Sequence, residues 1–93
     1  MLDFSEALLK LKSGGKVQRS GWNGKGMYIA LQKGYPDGVK CNKNSSDAYG
    51  VKEGEIIKVL PYLAMKTVDG SFVPWLASQT DILSEDWQEL LDK

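Results

Sequence analysis

The segment KVQRSGWNGKGMYIAL, residues 16–31, contains two short runs of alternating side-chain character. They are separated by a glycine-rich turn at residues 21–26, which we call the glycine turn. Residues 16–19 and residues 27–31 carry side chains that are typical of strands. Between them, Asn23-Gly24 is a strong turn signal, because both central positions of a type I′ turn require positive φ. This segment predicts a β-hairpin, around which the rest of the chain is arranged.

The residues before the hairpin predict an α-helix. Asp3 stands at a capping position and Glu6 follows three residues later, which is the spacing of a capping box. Gly14-Gly15 ends the helix, because glycine readily adopts the left-handed conformation at a helix C-terminus. Apolar residues recur at helical spacing in this segment: Phe4, Ala7, Leu8 and Leu11.

The middle of the chain predicts a polar loop followed by a long strand. Residues 33–54 are polar and contain glycine, and residues 42–47 are expected to be an exposed loop. Residues 56–68 are expected to form the longest strand, bent at Pro61. A second hairpin turn follows at Asp69-Gly70.

Apolar side chains occupy both faces of the run from Ile56 to Met65, whereas an antiparallel strand with one solvated face alternates. Two explanations are open. Either the sheet is covered twice, by its own helix and by another subunit, or Pro61 divides the run into two strands that face differently.

The C-terminal segment predicts a short helix and leaves its last residues open. Ser78 can cap a helix with Asp81 at the third position. Residues 87–91 fit either a continuation of that helix or a closing strand. Together the elements predict one α+β domain over residues 1–93, with an N-terminal helix, a small antiparallel β-sheet and a short C-terminal helix.

The composition is that of a small globular domain and argues against several classes of function. Apolar residues make up 42% of the 93 residues, and 12 Lys and Arg are balanced by 12 Asp and Glu. A net charge of zero argues against a nucleic acid polymer as partner, because such binding normally requires a basic surplus. The chain has no histidine and one cysteine, so the commonest general base and the usual zinc ligands are missing.

Nothing in the sequence predicts catalysis or a membrane. No serine, cysteine or carboxylate stands in a convincing catalytic or metal-ligand arrangement, so we expect no catalytic residue, no metal site and no cofactor. No run has the length of a membrane span or the pattern of a signal peptide, so we expect a cytosolic protein.

Two tryptophans in loop-like surroundings are candidates for ligand recognition. Trp22 lies inside the glycine turn and Trp75 follows Pro74, so each ring is either a hydrophobic plug or a stacking platform. The backbone amides of residues 21–26 can form an anion-binding nest that includes Lys25, although a plain hairpin is the commoner role of such glycines. An aromatic face beside amides and a lysine suits a nucleotide. Side chains able to bond a ribose or a base edge are Lys66, Thr67, Ser78, Gln79 and Asp81.

Three blocks of sequence, in this order, resemble the Thoeris anti-defence two family of small phage and prophage proteins. The blocks are GWNGKGM (21–27), MKTVDG (65–70) and VPWLASQTDILSEDW (73–87). The segment FSEAL (4–8) and Val17-x-Arg19 match as well, so the likeness spans nearly the whole chain. Ala64 and Ala77 depart from the family pattern, which leaves the choice of ligand open.

The resemblance implies a sequestering protein rather than an enzyme. Members of this family bind glycocyclic ADP-ribose signals made by TIR-domain proteins and hold them without cleavage, and some hold cyclic dinucleotides at separate sites. It further implies a homotetramer with ligand pockets between subunits, action in the host bacterial cytoplasm, and a strand at residues 87–91. Taken with the residue analysis, it gives as ligand-binding residues Trp22, Asn23, Gly24, Lys25, Gly26, Lys66, Thr67, Trp75, Ser78, Gln79 and Asp81.

Two other functions stay open at this point. One is a small cyclic-nucleotide hydrolase, which would need a carboxylate as its base. The other is a protein-interaction module of a phage or prophage, in which Trp22 would be an interface hot spot.

Overall fold

A computed structural model describes residues 1–22 and 26–91, and within them the chain is α+β, as predicted. The helices are α1 (Phe4–Lys12), α2 (Lys43–Tyr49) and α3 (Gln79–Leu83). The strands are β1 (Lys16–Arg19), β2 (Tyr28–Gln32), β3 (Tyr35–Lys40), β4 (Ile56–Val59), β5 (Tyr62–Lys66), β6 (Phe72–Pro74) and β7 (Trp87–Leu90). Among the described residues, no helix is both long enough and apolar enough to cross a membrane.

The main sheet is antiparallel and has the strand order β6-β5-β2-β1-β7. The first hairpin is confirmed by the pairing of Val17 with Ile29 across β1 and β2, while the tip of its turn, residues 23–25, lies outside the described residues. The second hairpin joins β5 to β6. The last residues pair with β1, with Arg19 opposite Trp87, so the strand implied by the family resemblance is confirmed.

Helix α1 begins and ends where the sequence predicts. Asp3 Oδ1 accepts from the amide of Glu6 at 2.8 Å, and Glu6 Oε1 accepts from the amide of Asp3 at 3.0 Å, which completes the capping box. Gly14 has φ +93°, and the amides of Gly14 and Gly15 donate back to the last turn of the helix. The helix lies on β1, β2 and β7, where five side chains form the fully buried core: Ala7, Leu11, Val17, Ile29 and Trp87.

The other face of the main sheet, which we call the open face, is apolar at several positions. Strand alternation places the side chains of Tyr28, Ala30, Tyr62, Ala64 and Phe72 on this face, opposite to that of Ile29. Phe72 is 65% exposed and Tyr62 is 44% exposed. Such a surface is available to a second molecule.

The predicted long strand is wrong, and the alternative of a break at Pro61 is confirmed. Strands β4 and β5 lie on either side of Leu60 and Pro61 and belong to different sheets, since β4 pairs with β3 in a separate two-stranded sheet. Proline has no amide hydrogen for a ladder and restricts the residue before it. Gly34 lies in the connection between β2 and β3, next to Leu60, and has φ +65°.

The predicted loop at residues 42–47 is also wrong. These residues belong largely to α2, whose N-cap Asn42 accepts from the amide of Ser45 at 2.8 Å and whose C-cap Gly50 has φ +73°. The helix buries none of its residues, which explains why it has no apolar periodicity. Residues 36–38 lie inside β3, whose register with β4 shifts between Tyr35 and Val39.

Candidate ligand-binding site

The three tryptophans of the chain cluster at one end of the main sheet. Trp87 is fully buried, whereas Trp22 and Trp75 are half-buried and pack against it. The ring centroids of Trp22 and Trp87 are 5.3 Å apart at 80°, and those of Trp75 and Trp87 are 6.1 Å apart at 79°. Trp22 and Trp75 are 6.4 Å apart at 69°, so all three pairs meet edge to face, a favoured aromatic geometry.

Separate backbone elements deliver these rings. The amide of Trp22 donates to the carbonyl of Arg19 at 3.2 Å, which closes a turn directly after β1. The amide of Trp75 donates to the carbonyl of Leu63 at 2.9 Å, which extends the pairing beyond β6. Trp87 opens β7, and its indole Nε1–H donates to the carbonyl of Asp81 at 2.9 Å.

An ion-pair network centred on Arg19 lies beside the cluster. Arg19 Nε donates to Asp86 Oδ1 at 2.9 Å, and Arg19 Nη1 donates to Asp81 Oδ1 at 2.9 Å. Asp86 Oδ2 accepts from the amide of Gly21 at 2.9 Å, and Asp81 Oδ1 accepts from the indole of Trp22 at 3.4 Å. We call Arg19, Asp81 and Asp86 the Arg19 network. It joins the glycine turn, α3 and the start of β7.

The network sets the protonation of its members. The hydrogen bonds that Arg19 donates to Asp86 and Asp81 raise the pKa of Arg19. The pKa of Asp86 is lowered, chiefly by the hydrogen bond from Arg19. For Asp81, burial acts to raise the pKa, but hydrogen bonds from Arg19, Ser78 and Trp22 together outweigh it, and the pKa is lowered. Both carboxylates are therefore ionised at neutral pH.

Ser78 and Asp81 are primarily a helix cap. Ser78 Oγ accepts from the amide of Asp81 at 3.1 Å, and Asp81 Oδ2 lies 2.9 Å from that hydroxyl, which confirms the capping prediction. Gln79 is the exposed first residue of α3. Asp81 does lie beside Trp22, as a site residue should, but its oxygens are already engaged within the chain.

Lys66 and Thr67 lie at the end of β5 rather than in the tryptophan cluster. Lys66 Nζ donates to the carbonyl of Gly26 at 3.3 Å and stands 5.8 Å from the ring centre of Tyr28. Thr67 belongs to its own turn, since its hydroxyl bonds Asp69 at 2.5 Å. This contact comes first among the causes that lower the pKa of Asp69 to about 2.

The predicted residues thus fall into two groups. One group surrounds the aromatic cluster and comprises Trp22, Trp75, Ser78 and Asp81. The other group lies at the end of β5, where Lys66 donates to the carbonyl of Gly26. The predicted site residues Asn23, Gly24 and Lys25 are outside the described residues.

A cavity that the sequence did not predict lies where the main sheet meets the β3–β4 pair. Its volume is about 250 Å³, and side chains from both sheets and from α2 line it. The walls are contributed by Gln32, Tyr35, Val59 and Tyr62, with Lys40 as the one charged residue of the lining. None of these residues belongs to the predicted site.

The match to known proteins is extensive. The family model for the Thoeris anti-defense 2-like domain matches residues 2–90. A protein of Bacillus phage SP01 named Thoeris anti-defense 2 is 40% identical over an alignment of 93 positions, which covers 92% of this chain and 91% of that protein. The chain belongs to the Thoeris anti-defense 2-like family.

Membership assigns the chain to a family of Thoeris anti-defence proteins and confirms the resemblance drawn from the three sequence blocks. All three tryptophans lie inside the matched residues. The aromatic cluster and the Arg19 network are therefore parts of the Thoeris anti-defense 2-like domain itself rather than of an appended segment.

Proposed function

We propose that this Thoeris anti-defence protein sequesters a cyclic ADP-ribose-type immune signal in the host bacterial cytoplasm and holds it without cleaving it. The observation that carries the proposal is the half-buried pair Trp22 and Trp75, which lie beside the glycine turn at one end of the main sheet. Family membership supports the biological role, and the site supports the class of ligand.

The tryptophans supply a surface on which a base can stack. The buried ring of Trp87 supports both partly exposed rings from beneath, so neither needs to become ordered when a ligand binds. Stacking of a base on an aromatic side chain contributes about 1–3 kcal/mol. Because the rings of the tryptophan cluster are already packed in place, little conformational entropy is lost on binding, and most of the stacking energy contributes to affinity.

The glycine turn and Lys66 supply the groups for a phosphate. Backbone amides without flanking side chains bind anions, and in the proposed site those of residues 23–26 serve this purpose with Lys25. Lys66 Nζ donates to the carbonyl of Gly26, which places its ammonium group beside the described end of this turn. Charge-assisted hydrogen bonds of this kind suit a compact dianion.

Retention without cleavage agrees with the state of the nearby carboxylates. Asp81 and Asp86 have lowered pKa values and are bonded to Arg19, so at neutral pH they are ionised and weakly basic. An effective general acid or base has a pKa near the working pH. Asp81 and Asp86, which are bonded to Arg19 beside the aromatic cluster, are therefore suited to holding structure rather than to moving protons.

In this proposal the chain acts as a homotetramer, as the family resemblance implies. The open face carries Tyr62 and Phe72, both substantially exposed, and is the surface we assign to contacts between copies. A homotetramer built through this face forms shared pockets, and cyclic dinucleotides are further ligands for such pockets.

Thermal denaturation with and without ligand tests whether this is a binding protein for a small molecule. Glycocyclic ADP-ribose at about 100 times its Kd stabilises a one-site binder by about 2.7 kcal/mol. We expect a rise in Tm of several degrees. Trp22→Ala should fold and lose the rise, whereas Tyr49→Ala, an exposed aromatic on α2, should keep it. An unchanged Tm with all cyclic nucleotides would favour the protein-interaction module.

A further inference from the structure

We infer that Arg19 is a positioning residue of the ligand site: it fixes Trp22 and α3 in the arrangement that accepts the ligand without contacting the ligand itself. The identity of that ligand rests on the proposed function above, whereas the positioning itself rests on hydrogen bonds within the chain.

One arm of the network fixes the turn that carries Trp22. Arg19 Nε holds Asp86 Oδ1 at 2.9 Å, and the other oxygen of that carboxylate accepts from the amide of Gly21 at 2.9 Å. The hydroxyl of Ser20 also donates to Asp86 Oδ2, at 3.4 Å. Asp86 thus anchors the two residues before Trp22, and Arg19 orients Asp86.

The other arm fixes the ring. Arg19 Nη1 holds Asp81 Oδ1 at 2.9 Å, and the same oxygen accepts from the indole Nε1–H of Trp22 at 3.4 Å. The carbonyl of Asp81 accepts a hydrogen bond from the indole Nε1–H of Trp87 at 2.9 Å. One guanidinium therefore sets both the backbone and the indole of Trp22.

The network is closely packed around the turn. A Cβ atom added to Gly21 would lie 2.9 Å from Asp86 Oδ2 and 3.4 Å from Arg19 Nη2. Since the first distance is below ordinary contact, an alanine there has to displace the carboxylate. Gly21→Ala thus disturbs the network without removing a charge.

An arginine is required because one side chain bridges two carboxylates. Its planar group presents donors in fixed directions, whereas an ammonium group is a compact point charge. The side chain of Arg19 is only 17% exposed, and Nε and Nη1 are both engaged. Arg19 is therefore directed at the protein and not at a ligand, and lysine cannot reproduce both arms.

The test compares Arg19→Lys with the control variants Ile29→Val and Lys43→Ala. Ile29→Val removes one methylene group from the core, and Lys43→Ala removes an exposed ion pair of α2. We measure the Kd for glycocyclic ADP-ribose by calorimetry. We also measure quenching of Trp22 fluorescence by acrylamide, taken as the difference between each protein and the same protein with Trp22→Phe.

Arg19→Lys should weaken binding about tenfold or more, because the variant has to restore the arrangement of Trp22 when the ligand binds, at a cost comparable to one charge-assisted hydrogen bond. It should also increase the quenching of Trp22. Both controls should leave the Kd and the quenching as they are, even where Ile29→Val lowers Tm. Where Arg19→Lys does not fold, Gly21→Ala should produce the same two changes.

Unchanged affinity and unchanged quenching in the folded variant would overturn the inference. A loss of affinity no larger than that of an Ile29→Val protein with equal Tm would overturn it too, because the role would then be structural only. If the unsubstituted protein binds no cyclic nucleotide, the proposed function fails. The positioning role is then decided by quenching alone, which must rise in Arg19→Lys if the inference is correct.

Discussion

The indole Nε1–H of Trp22 donates to Asp81 Oδ1 at 3.4 Å, although 59 positions separate the two residues in the sequence. The contact joins the glycine turn after β1 to the first turn of α3. The same oxygen of Asp81 is also held by Arg19 at 2.9 Å. The orientation of the candidate stacking ring is therefore fixed by the tertiary structure rather than by its own turn.

The tryptophans should differ sharply in what they contribute to stability. Trp87 is fully buried, and truncation of a buried tryptophan costs about 3–5 kcal/mol, a large share of the ~5–15 kcal/mol that stabilises a small domain. We expect Trp87→Ala to be largely unfolded by circular dichroism and urea denaturation. Trp22→Ala, which removes a half-buried ring, should remain folded. Equal losses for the two variants would contradict the assignment of Trp22 to the site.

Stability should fall in acid because of the Arg19 network. The pKa of Asp86 is lowered from its ordinary value of 3.8, so its stabilising contribution is complete above about pH 4 and is lost as the pH drops through the folded-state value. Asp81 acts in the same direction. Urea denaturation at pH 7, 5 and 3 should show most of the loss below pH 4.

Asp86→Asn is the control for this pH dependence. The amide cannot ionise, so the variant should be less stable at pH 7 and should show a smaller fall between pH 5 and pH 3. An equally steep fall in the variant would place the responsible titrating groups elsewhere in the chain.

The junction between the two sheets should not accept a side chain at Gly34. A Cβ atom there would meet the carbonyl oxygens of Val59 and Leu60, the latter at 2.8 Å, and φ is +65°. Gly50→Ala is the matched control, because its φ is +73° and nothing lies within 4 Å of the added Cβ. Left-handed backbone alone costs alanine about 1–2 kcal/mol. Calorimetric melting should show a clearly larger loss for Gly34→Ala, and equal losses would contradict the junction geometry.

The open face should carry the contacts between subunits. Light scattering should give the unsubstituted protein a mass near four times that of the 10.3 kDa chain. Tyr62→Glu should give smaller species, because a desolvated carboxylate opposes association. Leu9→Glu, 63% exposed on α1, should stay tetrameric. A single-chain mass for the unsubstituted protein would refute the tetramer.

The local signals in the sequence were sufficient for most of the elements. The Asp3 and Glu6 capping box, the Ser78 cap and both hairpins are encoded within a few neighbouring residues, and the structure confirms them. Helix α2 was missed because it buries none of its residues and so lacks apolar periodicity, although its capping residues Asn42 and Gly50 were visible. The division at Pro61 was an open alternative, since one chain cannot reveal whether a bent strand changes sheets.

The site was predictable in its aromatic residues and not in its ion pairs. Trp22 and Trp75 stand out as large rings in loop-like surroundings. The pairing of Arg19 with Asp86 spans 67 positions and depends on β1 lying next to β7. The sequence alone left residues 87–91 as either a helix or a strand. Because β7 lies next to β1 only if these residues form a strand, the Arg19 network could not be predicted.

Capture and release of the ligand shows whether the protein sequesters a nucleotide without converting it. The protein is incubated with glycocyclic ADP-ribose, freed of unbound nucleotide by filtration and heated, and the supernatant is chromatographed against an untreated standard. Trp22→Ala, shown by circular dichroism to be folded, is the control.

We expect the unsubstituted protein to return the nucleotide intact and Trp22→Ala to return none. A converted product would show that the protein is an enzyme. A protein that retains no nucleotide at all would contradict sequestration itself.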